Sequence, residues 1–396
     1  MTTPSWPTKS IGDLCVRVTS GGTPSRSNPE YFEPASVPWI KTGDLRDGYI
    51  TEYDECISEA GVENSSAKLL PANTVLMAMY GATVGMLGML REPATCNQAA
   101  CALIVDPELC NPRWIFYALL NSRDFIISQA TGAAQQNLSG KTIRNFTFCV
   151  PSLPEQNAIA EVLGTLDDKI AANTKLAHTA NDLASLTYSA AIESADVVPM
   201  SQMLTPILGG TPSRSRDDYW GGSERWISAK DVTGASGQLI LDTEEKITNL
   251  ATENTKAKPL PKGSVILTAR GTVGAVARLG EPSSFNQSCY GFVPEDVPAS
   301  VLYFAVRSAS DHAKSMAHGS VFDTITKKTF DHLPMPDLTA NEANSLDAVL
   351  SPLLAVVESS ARENLTLAQI RDSLLPQLMS GKLRIKDAES VIEGAI

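Results

Sequence analysis

Much of what this chain of 396 residues might be is excluded by what it lacks. No run approaches the 18 or more apolar residues of a membrane-spanning helix. No basic, apolar, small-residue leader opens the sequence, so a cytoplasmic protein is expected. Cysteine is sparse and unpaired in pattern: seven residues, no Cys-x-x-Cys, and only Cys289 in the second half, which argues against a disulfide framework or a zinc site. The four histidines form no ligand spacing, no Ser–His–Asp set is visible, and no Gly-rich strand-to-helix loop for a nucleotide or methyl donor is evident. Positive charge is short as well. Against 44 Asp and Glu stand 32 Lys and Arg, a net charge of −12, which points away from a generic polyanion binder. A nucleic-acid reader of this composition must gather its basic groups on one face or borrow positive charge from a partner.

What is present is repetition. Gly21-Gly22-Thr23-Pro24-Ser25-Arg26 returns letter for letter as Gly209-Gly210-Thr211-Pro212-Ser213-Arg214, 188 positions later. Other features keep nearly the same offset: Tyr31-Phe32 with Tyr219-Trp220, Trp39-Ile40-Lys41 with Trp226-Ile227-Ser228, and Asn97-Gln98 with Asn286-Gln287. Gly81-Ala82-Thr83-Val84-Gly85 answers Gly271-Thr272-Val273-Gly274, and each copy closes on a proline-punctuated stretch. Two diverged tandem copies follow from this. Within each, short runs of Val, Ile, Leu and Thr between Gly, Pro, Asn and Asp read as strands and turns, while the segments from Trp114 and from Val301 read as helices buried on one face. Each copy is therefore expected to be an α+β domain.

After its closing prolines each copy changes character. Ile159, Leu163, Leu166, Ile170, Asn173, Ala177, Ala180 and Ala184 alternate steps of four and three, the spacing of a coiled-coil seam. Leu346, Leu350, Leu353 and Val357 keep that step 187 positions on, and Ser360, Asn364 and Leu367 continue it. The expectation is two long helices zipped together, the second kinked or ended locally at Pro352 and Pro376. The chain then divides into a first domain over 1–153, a helix over 154–195, a second domain over 196–338 and a second helix with its tail over 339–396. If such helices pair antiparallel, head-to-tail duplication makes the two halves pseudo-symmetric.

Candidate contacts lie in the repeated loops. The Gly-Gly phrase reads as a tight turn whose glycines take positive φ, or as a phosphate contact through Ser25 and Arg26, or Ser213 and Arg214; the two readings are compatible. Lys41 and Lys230 end a short strand beside Asp44 and Asp231, as nucleic-acid contacts or as surface Lys–Asp pairs of small energetic value. Tyr80 and Arg270 differ just before the glycine of an otherwise retained loop, the behaviour expected of a base-reading position, since Arg reads guanine bidentately. Thr83, Asn97 and Gln98, with Thr272, Asn286 and Gln287, complete the set. Asn28-Pro29-Glu30-Tyr31 is one letter from an amino-methyltransferase signature, but its copy is Arg216-Asp217-Asp218-Tyr219, which favours a turn before an aromatic anchor.

The full constellation adds Leu-Pro before a strand, Pro154-Glu155-Gln156 leading into the first long helix, and Leu374-Leu375-Pro376-Gln377-Leu378 near the end. Duplicated in this order, it resembles the specificity subunit of type I restriction–modification systems. That resemblance implies two target-recognition domains, each reading half of a bipartite double-stranded DNA site in the major groove, with the two long helices antiparallel and setting the spacer. It implies a non-catalytic chain without cofactors of its own. Two methylation subunits would supply S-adenosylmethionine chemistry, and restriction subunits would use ATP and Mg. Where the first copy has Pro154-Glu155-Gln156 the second has Thr339-Ala340-Asn341, so a partner contact there is not repeated. The readings from other classes are a self-contained DNA adenine methyltransferase, which would need the missing donor loop, and an orphan scaffold subunit that reads no DNA.

Overall fold

A computed structural model describes residues 6–130, 137–235, 238–317 and 324–394. The chain forms two compact units, residues 1–169 with 367–396, and residues 170–366. Their sheets match strand for strand. In the first unit a five-stranded sheet runs in the order Cys15–Ser20, Ala100–Val105, Val75–Ala78, Leu87–Leu90, Gly48–Ile50. In the second the order is Ile207–Leu208, Cys289–Phe292, Val265–Thr268, Val276–Leu279, Leu239–Ile240. All neighbours are antiparallel except the last pair of each sheet. A three-stranded sheet accompanies each: Cys56–Ile57, Val37–Ile40 and Thr95–Cys96, repeated as Glu245–Ile247, Trp220–Ile227 and Ser284–Phe285.

The central strands Val75–Ala78 and Val265–Thr268 are buried at every position, because both sheet faces are covered. That is why they read as continuous apolar runs rather than as alternation. One face of the second unit's large sheet packs Ile266 and Ala277 against Ile227 and Phe285 of the small sheet. The other packs Val265, Leu267 and Phe292 with Tyr303 and Phe304 of the helix Ala299–Ala317 and with Leu346 and Leu350. Among the described residues no helix is long and apolar enough to cross a membrane.

The long helices span Leu153–Ile192 and Ala340–Met379, 40 residues each. Each starts with the same device. Ser152 donates its backbone N–H and hydroxyl to Glu155 (3.1 and 2.8 Å), and Thr339 does so to Glu342 (2.8 and 2.7 Å). The true counterpart of Glu155 is thus Glu342, and the departure reduces to Gln156, whose place Ala343 takes. Gln156 is 1% exposed and bonded internally to Asn111, Leu109 and Pro151, which ties the start of the helix to its own unit. Nor do the prolines end the second helix, which continues past Pro352 and Pro376, both exposed.

Within the second unit the helices run antiparallel. Asn173 donates to Glu363 (2.8 Å), Ala177 and Ala180 cluster with Val357, and Ala184 joins the cluster of Leu350 and Leu354. Within the first unit Asp167 meets Arg371 at 2.8 Å. Ile159, Leu163 and Leu166 are buried as the seam requires, and Ile170 is half-buried. The seam departs at one place: Leu354 is buried and Leu353 only half-buried. Here the helix packs on the globular core as well as on its partner helix, and the helical 3.6 period governs rather than 3.5.

Candidate nucleic-acid interface

In both units the repeated loops meet along one rim of the large sheet. Antiparallel pairing brings the end of Cys15–Ser20, the start of Ala100–Val105 and the end of Val75–Ala78 to the same side. Gly21 N–H therefore bonds Ala100 O (3.1 Å), Gly22 N–H bonds Cys96 O (2.9 Å) and Met79 N–H bonds Ala99 O (2.8 Å). The second unit repeats these as Gly209 to Cys289 (3.3 Å), Gly210 to Phe285 (2.9 Å) and Ala269 to Ser288 (2.7 Å). The indole N–H of Trp39 donates to Gly22 O at 2.9 Å, and that of Trp226 to Gly210 O at 2.9 Å.

The paired glycines owe their identity to close packing. Neither pair has positive φ, contrary to the sequence expectation; a Cβ on Gly21 would lie 2.1 Å from the Cys96 carbonyl oxygen, and one on Gly209 2.1 Å from that of Asn286. Gly21→Ala must displace backbone and is expected to cost about 1–3 kcal/mol. Thermal or urea unfolding of the variant checks this, and unchanged stability would contradict the close packing. The left-handed glycines belong instead to the other loop, Gly81 and Gly85 (φ 70° and 81°) and Gly271 and Gly274 (φ 76° and 83°).

The cations of the Gly-Gly phrase are held by the protein itself. The Arg26 guanidinium lies 4.5 Å from the Phe32 ring centroid and 5.5 Å from that of Trp39, and pairs with Glu55 at 2.6 Å. Arg214 repeats this over Trp220 (3.7 Å) and Trp226 (5.4 Å), paired with Glu245 at 2.5 Å. These arginines hold the Glu55 and Glu245 carboxyls below their usual range. Ser25 bonds Ser27 (2.7 Å) and Ser213 bonds Ser215 (2.8 Å). The lysines do not pair with Asp44 and Asp231. Asp44 accepts the Lys41 backbone N–H (2.7 Å) and Asp231 that of Ser228 (2.8 Å), so both cap their turns. Lys41 reaches Asp54 (3.3 Å) and Glu55 (3.5 Å), and Lys230 reaches Glu244 (2.7 Å).

Asn97 and Asn286 accept the N–H two residues ahead (3.1 and 3.0 Å), holding the turn that presents Gln98 and Gln287, both exposed. Gln98 accepts the Thr23 hydroxyl. Thr83 is half-buried beside the Tyr80 carbonyl, Thr272 is exposed, and Arg270 is exposed without a partner among the described residues. Two lysines escaped the sequence reading. Lys141 and Lys328, 187 positions apart, are exposed and unpartnered among the described residues, each three residues after a backbone bond to the rim. Those bonds are Leu138 N–H to Met79 O (2.9 Å) and Ile325 N–H to Ala269 O (3.0 Å). The flanking Ser139/Thr142 and Thr326/Thr329 pairs, which stabilise their turns, were the available signal.

Among the described residues no three His, Cys, Asp or Glu side chains group as a metal site. Burial pushes the thiols of Cys96, Cys101, Cys110 and Cys289 up to about 12, unsuited to nucleophilic work.

The type I restriction modification DNA specificity domain matches this chain twice, over residues 4–180 and 195–345. The MjaIX specificity subunit of a type I restriction enzyme from Methanocaldococcus jannaschii is 30% identical over 165 residues, 41% of this chain and 38% of that protein. The EcoR124I/EcoR124II specificity subunit from Escherichia coli is 30% identical over 165 residues, 40% of each. The matched stretch thus spans about two-fifths of the length of these two relatives. Among solved structures, the type-I restriction-modification S subunit from M. genitalium shares the fold, with a TM-score of 0.59 at 15% identity over 94% of this chain and 96% of that one.

Proposed function

The chain belongs to the type I restriction modification DNA specificity family, and on that premise we propose that it is the non-catalytic, DNA-reading subunit of a type I restriction–modification complex. The observation that carries this reading is the duplicated rim. Each unit gathers the same three loops along the same sheet edge, so one chain presents two like readers, and two like readers call for a site in two parts.

On this reading each rim lies against the major groove of one half-site, where base edges carry a distinguishable donor and acceptor code. Arg26, Arg214, Lys41 and Lys230 are already neutralised by carboxylates. Lys141 and Lys328 are therefore the better candidates for phosphate contact, with further positive charge coming from partner subunits. The long helices dock two methylation subunits and set the unread spacer. S-adenosylmethionine would reside in the methylation subunits, ATP and Mg in the restriction subunits, and no cofactor in this chain.

The test is modification-detecting sequencing of a host that carries this gene with its methylation-subunit gene. The expected result is a methylated-adenine motif in two specified parts around a spacer of fixed length. A contiguous motif, or a motif unchanged when this gene is removed, would overturn the reading.

A further inference from the structure

We infer that Arg270 and Gln287 form a two-residue reader for a guanine next to an adenine in the half-site of the second unit, and that the first unit has no such reader. The inference rests on the DNA-reading role proposed above and specifies the bases that role requires.

A backbone bond just beyond the paired strands supplies the geometry. Val265–Thr268 pairs with Cys289–Phe292 so that Thr268 stands opposite Cys289. The bond from Ala269 N–H to Ser288 O (2.7 Å) ties the loop that follows the first strand to the Asn286–Cys289 turn that precedes the second, and Arg270 and Gln287 are each the residue next to that bond. Standing one residue from the same bond, the two long side chains rise from adjoining loops of the rim, where they can address neighbouring base pairs. The backbone beneath them is fixed from both sides, since Ala269 O also accepts the Ile325 N–H at 3.0 Å. Gly271, at φ 76°, turns the chain away immediately afterwards.

The chemistry supplies the bases. Both side chains are exposed, and neither has a hydrogen-bond or ion-pair partner among the described residues. Arg214 and Lys230 on the same rim are each held by a carboxylate. A free guanidinium fork matches guanine O6 and N7, and a free primary amide matches adenine N6 and N7. In the first unit the equivalent bond, Met79 N–H to Ala99 O (2.8 Å), has Tyr80 and Gln98 as the residues next to it. Tyr80 is half-buried and has no fork, and the Gln98 oxygen is taken by Thr23. The two rims share a scaffold but differ at the reading position.

The test uses the full chain with its methylation subunits and compares the methylated motifs of wild type, Arg270→Ala, Arg270→Gln, Gln287→Ala and Tyr80→Ala. Arg270→Ala is expected to relax one guanine position, in one half only, by on the order of 10- to 100-fold in methylation of the other bases. Gln287→Ala should relax the adjacent adenine, and Tyr80→Ala should alter only the opposite half. Arg270→Gln should also lose the guanine, which keeps the test intact if the alanine variant accumulates poorly. Uniformly weaker methylation with no relaxed position would make Arg270 a phosphate contact and end the inference, as would a motif without guanine in that half. Absence of any two-part motif in wild type is the separate outcome that defeats the DNA-reading role itself.

Discussion

Asp167→Ala is expected to destabilise the first unit by about 2–4 kcal/mol, lowering its melting temperature by on the order of 10 °C. Asp167 joins three elements of that unit. It accepts the hydroxyl of Tyr117 from the helix Pro112–Asn121 (2.5 Å), and it pairs with Arg371 of the second long helix (2.8 Å). Tyr117 is 2% exposed, so truncation leaves a buried hydroxyl without an acceptor. The Asp167 and Arg371 side chains are 24% and 21% exposed, between the surface and buried limits for an ion pair. Burial alone would push the Arg371 guanidinium down, yet Asp167 and Asp372 together hold it above its ordinary value. Asp167→Asn keeps an acceptor for Tyr117 and should lose roughly half as much. Calorimetry of the two variants decides the matter; an alanine variant within about 0.5 kcal/mol of wild type would show that the network carries no weight.

The tandem architecture was legible because duplication is a statement about order, and order survives divergence. The six-residue phrase and the Asn-Gln pairs located both units, and the seam spacing located both helices, before any geometry was known. What the sequence could not convey was which partner each side chain would take. Gly21 and Gly209 read as positive-φ turn residues, but their constraint comes from Cys96 and Asn286, more than 70 residues away. Asp44 and Asp231 read as partners of the neighbouring lysines, yet a backbone N–H three residues back competes for a carboxylate and prevails. Leu353 fitted the seam stride, whereas Leu354 is buried, because the stride assumes a lone helix pair and the core adds a second surface. Lys141 and Lys328 were passed over because exposed lysines leave no trace in an apolar pattern; their equal offset and the Ser/Thr pairs that flank them were the marks available.

Lengthening both long helices is expected to change the spacing of the DNA motif without changing its specified bases. Each helix passes from one unit into the other, the first at residues 169 and 170 and the second at 366 and 367. Within the second unit Asn173 bonds Glu363 and Asn364 bonds Thr174 (3.1 Å), so residues near 174 stand level with residues near 362. Four residues inserted after Thr174 and four after Ala361 would therefore lengthen both helices at one level. At 1.5 Å per residue each gains about 6 Å, which corresponds to one or two base pairs at about 3.4 Å per base pair. A four-residue insertion locally unwinds a seam of this kind rather than breaking it, and the polar pairs there contribute less packing than the Leu350 and Leu354 layers that remain. If the helices set the spacer, the methylated motif of the lengthened protein keeps both half-sites and gains one or two unread positions. If they serve only to dock partners, the spacer stays fixed and assembly alone weakens. An altered half-site would mean that the helices themselves read bases, and the division of labour proposed between rims and helices would be wrong.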